Sequence, residues 1–241
     1  MVQLKYFGDD RDVFKYDLIR TVLISSLVKR YAFVPMLTKH RDDAEGKMRP
    51  RERDEASHAL LKFIATRNDK SLQHWETWLS SHVSTYKTVE PVDGTFFSET
   101  TRETYWKKFR SHISEKDALV FVDPDTGLQT GSATYLIKMG CEKYILNREL
   151  SYLIETMADS SVLMIYQHLT RDKTKQSSAV TKKIAQVHTV SSSAFACAYR
   201  EGDLAFLFVS KKNSLHKKIA GVLRRYHAKS GHKFKSVHIG T

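Results

Sequence analysis

A chain of 241 residues can bury a core large enough to fold without disulfide or metal staples, and its length fits one domain with insertions. Its formal net charge of +12, from 39 Lys and Arg against 27 Asp and Glu, points to a polyanionic partner, nucleic acid first among them. Membrane and disulfide-stapled classes are disfavoured. No apolar stretch approaches the roughly 20 residues that span a bilayer, the segment Met1–Asp10 has no signal-peptide core, and Cys141 and Cys197 lie far apart without a metal-binding spacing. A cytoplasmic protein with reduced thiols is the expectation.

Leu4 to Asp12 is dense in aromatic and acidic residues. A helix is predicted from about Asp12, whose carboxylate can accept the orphan amides of a first turn. Phe14, Leu18, Val22 and the Ile24, Leu27, Val28 group keep helical spacing, so one face should meet the core. Lys15 and Asp17 then read as a solvated helix start. Tyr31 to Leu37 reads as the first strand, opening into the polar loop Thr38–Gly46. His40, Asp42 and Asp43 there can bond a ligand's hydroxyls or a metal, or be no more than polar loop. A single glycine keeps the backbone from cradling a pyrophosphate as a Gly-rich loop does, and no compact metal motif is present.

Lys47 to Arg53 is a basic linker, followed by predicted helices at Glu55–Thr66 and Leu72–Ser81, a strand at Val83–Val92 and a turn at Asp93-Gly94. A helix over Thr101–Ile113 interleaves Tyr105, Trp106 and Phe109 with Arg102, Lys107, Lys108 and Arg110. Such interleaving suits nucleic-acid binding, and an amphipathic helix with a basic outer face explains it equally. Ala118-Leu-Val-Phe-Val122 is a short apolar run, the pattern of a strand covered on both faces. It ends in Asp123-Pro124-Asp125 and the turn Thr126-Gly127. Ligands in open α/β sheets bind beyond the carboxyl ends of such strands, although every residue of this stretch is also a common turn former.

Gln129–Ala133 reads as a small-residue loop, Glu142–Leu146 as a short extended piece, and Asn147 as the cap of a helix to Ala158. Ser161–Tyr166 is a second two-sided strand, with Gln167, His168, Thr170 and Arg171 at its carboxyl end. A polar, basic loop is predicted over 171–178, carrying Arg171 and Lys173, then a helix over Ala179–His188. Ala194–Arg200 and Leu204–Ser210, joined by Glu201-Gly202-Asp203, form a hairpin. The last helix runs from Asn213 to about His227. Nine Lys or Arg and no acid fall between Lys211 and Lys235, and Lys217, Lys218, Arg224 and Arg225 on that helix read as phosphate-binding cations.

This order of elements is that of a Rossmann-like, class I methyltransferase-like α/β domain over residues 1–241. The expected fold is a mostly parallel sheet with a C-terminal antiparallel hairpin and a helical insertion at about 47–82. More specifically, Tyr6-Phe-Gly-Asp-Asp-Arg-Asp-Val-Phe-Lys-Tyr-Asp-Leu-Ile-Arg-Thr-Val-Leu23 resembles the opening of the RlmJ-type ribosomal RNA adenine methyltransferases. In that family an aromatic and a glycine precede Asp-Val-Leu-Lys-His and an apolar helix, and Asp123-Pro124 matches its Asp-Pro-Pro-Tyr motif. The resemblance implies that Gly8, Asp9, Lys15 and Tyr16 border an S-adenosylmethionine pocket, and that Thr38, His40 and Asp42 stand where the cofactor loop would be. It further implies that Asp123 and the Pro124 carbonyl hold an adenine amine, in a base extruded from any duplex.

Two departures stand out. Asp125-Thr126 replaces Pro-Tyr, removing an aromatic and adding a charge, and the cofactor loop lacks its glycines. The sequence therefore leaves two alternatives open on the same sheet. One is a Mg²⁺-dependent nuclease using Asp123 and Asp125 with Asp9, Asp10, Asp42 or Glu142, although no Asp…Glu-x-Lys spacing is present. The other is a nucleic-acid-binding protein without catalysis.

Overall fold

The computed structural model describes residues 10–37, 62, 97–230 and 235–240. Lys62 apart, the expected insertion at 47–82 and the strand at 83–92 lie outside the described residues. No described helix is long and apolar enough to cross a membrane.

The chain order is α1 (Asp10–Ile24), β1 (Arg30–Pro35), α2 (Arg102–Lys108), α3 (Arg110–Ile113), β2 (Ala118–Asp123), β3 (Gly127–Leu128), α4 (Ala133–Met139), β4 (Tyr144–Ile145), α5 (Asn147–Thr156), β5 (Val162–His168), α6 (Gln176–Val190), β6 (Phe195–Glu201), β7 (Leu204–Ser210), α7 (Asn213–Ser230) and β8 (Lys235–Ile239). Among the described residues the main sheet has the order β1-β2-β5-β7-β6-β8, and β3 and β4 form a two-stranded ribbon. β1, β2 and β5 pair in parallel. β7 pairs antiparallel with both β5 and β6, and β8 antiparallel with β6. β1, β2, β5 and β6 therefore share one direction, which makes a mixed α/β fold with a mostly parallel sheet. The expected hairpin is present, but β7 enters the sheet between β5 and β6.

Strand alternation divides the core into two layers. Leu119, Phe121, Val162, Met164, Phe206 and Phe208 face α1 and α7. Val120, Val122, Leu163, Ile165, Leu207 and Val209 face α2, α3, α5 and α6. With both faces covered, β2, β5 and β7 are buried along nearly their whole length, as their apolar composition requires.

Several elements differ from their sequence reading, each for a local reason. α1 starts before Asp12 and is buried around most of its circumference, not along one stripe. Lys15 and Asp17 are therefore not a solvated helix start: both are buried, and Asp17 accepts a 2.8 Å hydrogen bond from the Tyr226 hydroxyl on α7. The helix expected over 101–113 breaks at Phe109 into α2 and α3. Tyr105, Trp106 and Phe109 all face the core, which decides that stretch in favour of packing over base stacking. Arg102 is buried too. It pairs with Glu149 at 2.6 Å, donates to the carbonyls of Cys141 and Tyr144, and lies 4.7 Å over the Phe97 ring.

Ser132 caps the unforeseen α4 by accepting from the Tyr135 amide. The loop expected over 171–178 is a 3₁₀ turn at Lys173–Lys175, nucleated by Asp172 on the Thr174 amide, and α6 already begins at Gln176. Both cysteines are free thiols, and burial pushes Cys197 up to about 12.

Candidate active site

Parallel pairing puts the carboxyl ends of β1, β2 and β5 on one edge, where Pro35 stands opposite Asp123 and His168 follows Gln167. Asp123 continues the Leu119, Phe121 alternation, so its side chain faces α1. From α1, the Lys15 ammonium reaches Asp123 Oδ2 at 2.8 Å and Asp12 Oδ1 at 2.9 Å. It sits 5.3 Å from the centre of the Tyr166 ring and 6.0 Å from that of Phe121, a cation held over aromatic faces. The Tyr166 hydroxyl in turn contacts His168 Nε2 at 3.1 Å.

All three charges are buried. For Lys15, burial acts to lower the pKa, but the charges of Asp12, Asp123 and Tyr166 and the hydrogen bond to Asp123 outweigh it and raise it above the usual lysine value. Burial raises the Asp123 carboxyl, against the charge and hydrogen bond of Lys15 and with the help of Asp12. Burial, with the positive charges of Arg11, Lys15 and Arg171, pushes His168 down to about 3, so its ring is neutral at physiological pH. Asp123 Oδ1 is buried and accepts no hydrogen bond from any described residue. An unmet buried acceptor costs about 1–3 kcal/mol. It is satisfied by an N–H donor or a cationic group, not by a phosphate.

The turn after Asp123 is pinned from β5. The His168 amide donates to the Thr126 carbonyl at 2.7 Å. Gln167, itself buried, accepts from the Leu128 amide at 2.9 Å and donates to the Thr126 carbonyl at 3.3 Å. Gly127 has φ +130°, and a Cβ there would come 2.4 Å from Gln167 Oε1, so the glycine permits both the conformation and the approach. Beyond it, Lys183 of α6 donates to the carbonyls of Leu128 and Gln129 at 2.9 and 2.7 Å, and burial lowers its pKa to about 8.

Asp125 is buried as well, but its charge acts on Tyr144 of the β3–β4 ribbon. The Tyr144 hydroxyl is also reached by the Thr126 and Tyr135 side chains. Among the described residues no group of three His, Cys, Asp or Glu side chains is placed to hold a metal ion.

Of the residues singled out in the sequence, Lys15, Asp123 and Pro124 come together at this edge. Tyr16 is buried in the core layer that holds Phe14 and Leu18. Gly8, Asp9, Thr38, His40 and Asp42 lie outside the described residues. Arg171 and Lys173 are exposed near the same edge, past the end of β5. Lys217, Lys218, Arg224 and Arg225 are exposed on α7, which climbs from the far end of β7 back towards this edge. Sequence reasoning missed the role of Asp12, which lies three residues before Lys15 and so on the same helix face. It also missed Tyr166, whose ring looked like plain strand core.

No family model matches the chain, and no curated protein matches it. Among solved structures the chain is similar to protein LPL1258 from Legionella pneumophila str. Philadelphia 1, described as DUF519, at 9% sequence identity over 97% of each chain with a TM-score of 0.47.

Proposed function

We propose that this chain is an S-adenosylmethionine-dependent methyltransferase acting on an adenine amine in nucleic acid. The observation that carries the reading is the Asp12–Lys15–Asp123 set. It is a buried ammonium between two carboxylates, one of which keeps an oxygen that no described residue satisfies, at the carboxyl edge of a mostly parallel sheet. The open carboxylate oxygen fits the amine donor that the reaction must hold.

S-adenosylmethionine supplies the electrophilic methyl group. Asp123 Oδ1 accepts one N–H of the target amine and the Pro124 carbonyl takes the other. Both raise electron density on nitrogen and orient its lone pair for in-line attack. On transfer of that methyl group the amine nitrogen would lose its proton through Asp123 to water. Lys15, held from the other side by Asp12, fixes the Asp123 carboxylate so that Oδ1 stays turned to the substrate. The strand order, with β7 antiparallel between β5 and β6, supports the reading. So do the exposed cations of α7 and of residues 171–175.

Calorimetry with S-adenosylmethionine tests the reading directly. The wild-type chain should bind it, and Lys15→Ala should bind at least tenfold more weakly. Asp123→Asn should keep cofactor binding within a few-fold while methyl transfer to an adenine-containing RNA falls at least 100-fold. Absence of binding at millimolar cofactor, or undiminished transfer by Asp123→Asn, would overturn it.

A further inference from the structure

We propose that a cleft between the segment after β5 and the β6–β7 turn is a subsite for the nucleotide next to the target base, and that Asp203 selects guanine there. This inference rests on the nucleic-acid reading above. The cleft has a volume of about 380 Å³ and is lined by Arg171, Lys173, Gln176, Glu201, Gly202 and Asp203. That volume lies at the lower end of small-ligand sites, the right scale for one nucleotide and too small for a base pair.

Its position matches a neighbouring nucleotide. The β6–β7 turn lies on the same edge as Asp123, with His168 opposite Leu204 and Glu201 opposite Leu204 in register. From β2 across β5 to β7 and β6 is two to three strand spacings of about 4.8 Å each. α1 bridges the two places: Arg11, one helical turn before Lys15, pairs with Asp203 at 3.7 Å. A strand with its target base at Asp123 therefore carries the adjacent base to this cleft.

The lining is divided by charge in the way a nucleotide is. Arg171 and Lys173 are exposed on the rim, where they meet a phosphate. Glu201 and Asp203 are partly buried on the hairpin side. The Gln176 amide is already committed, accepting from Arg200 at 3.0 Å and donating to the Thr170 carbonyl at 3.2 Å, so it forms a fixed wall. Glu201 is engaged by Lys235 at 3.5 Å with both side chains largely buried. Among the described residues the Asp203 side chain makes a long ion pair to Arg11, with 38% of its side chain exposed, a contact worth little and readily exchanged. A carboxylate accepts two parallel N–H bonds from N1 and N2 on the Watson–Crick edge of guanine. Adenine and cytosine offer only an exocyclic amine, and uracil a single ring N–H. Unpaired bases are read on that edge.

The test is fluorescence anisotropy with labelled oligouridine RNAs that carry one adenosine flanked on both sides by guanosine, adenosine, cytidine or uridine. The wild-type chain should bind the guanosine-flanked RNA about tenfold more tightly than the uridine-flanked one. Asp203→Asn, which puts an N–H donor against guanine, should reduce that preference to twofold or less, with most of the change in the guanosine-flanked affinity. Arg171→Ala with Lys173→Ala should weaken all four RNAs by a similar factor. Thermal unfolding of each variant confirms the fold, and Asp203→Ala serves as the second variant. RNA binding without a guanosine preference, or a preference that survives both Asp203 variants, overturns the subsite and leaves the proposed function standing. No RNA binding by the wild-type chain overturns both.

Discussion

At the scale of single residues, His168 carries a distinct signature of its half-buried position. Its ring resists protonation down to about pH 3 in the folded chain, whereas an unfolded histidine takes up its proton near pH 6.5. Between those values the unfolded state binds more protons, so this group's contribution to stability is complete above about pH 6.5 and is lost as the pH falls. From pH 6.5 to 5 the loss amounts to about 1.5–2 kcal/mol. Urea unfolding at pH 7 and 5 should show that loss, and His168→Gln should remove most of it; an equal decline in both proteins would refute the assignment. Asp123 and His168 were legible as candidates because both end apolar runs. The burial of Lys15 was not. A lysine near the start of a helix is solvated by default, and the Asp12 and Asp123 carboxylates, one of them 108 residues away, make its burial tolerable.

Among elements, the turn between β2 and β3 carries the most constraint per residue. Gly127→Ala would force a Cβ into φ +130° and into Gln167, whose amide cannot swing away without giving up its bonds to Leu128 and Thr126. A loss of roughly 2–4 kcal/mol in unfolding free energy is expected. Gln167→Ala in the same background should restore part of it by opening the space; strictly additive losses in the double variant would show that the two residues do not clash. The β2, β5, β6 and β7 strands were readable from their apolar runs and alternation. α4 was not, because its Ser132 cap precedes a helix of only 7 residues with little buried surface. Neither was β8, a short edge strand whose burial is mostly partial. The split at Phe109 escaped notice because the apolar spacing continues in phase across it.

For the whole molecule, charge is the property that outreaches any single site. Four of the exposed cations of α7 lie in two rows, Lys217 with Arg224 and Lys218 with Arg225, on a helix that has no acid. Seven residues separate the members of each row, about 10 Å along the axis. If the chain acts as proposed, replacing all four by alanine should leave S-adenosylmethionine binding intact and weaken nucleic-acid binding. In a titration from 50 to 300 mM salt, the slope of log affinity against log salt should become shallower by about 3. An unchanged slope would place the phosphate contacts elsewhere on the molecule.

α1 is enclosed by the sheet on one side and α7 on the other, and the Asp17–Tyr226 bond that joins the two helices spans 209 residues of sequence. During synthesis at about 5–20 residues per second, the helix that carries Lys15 therefore waits ten seconds or more for the element that covers it. Lys15 and Asp123 can meet earlier, but not in a sealed environment. The sealed surroundings of Lys15 are thus withheld from the nascent chain until nearly all of the described protein has been made, and the ordering comes from topology alone.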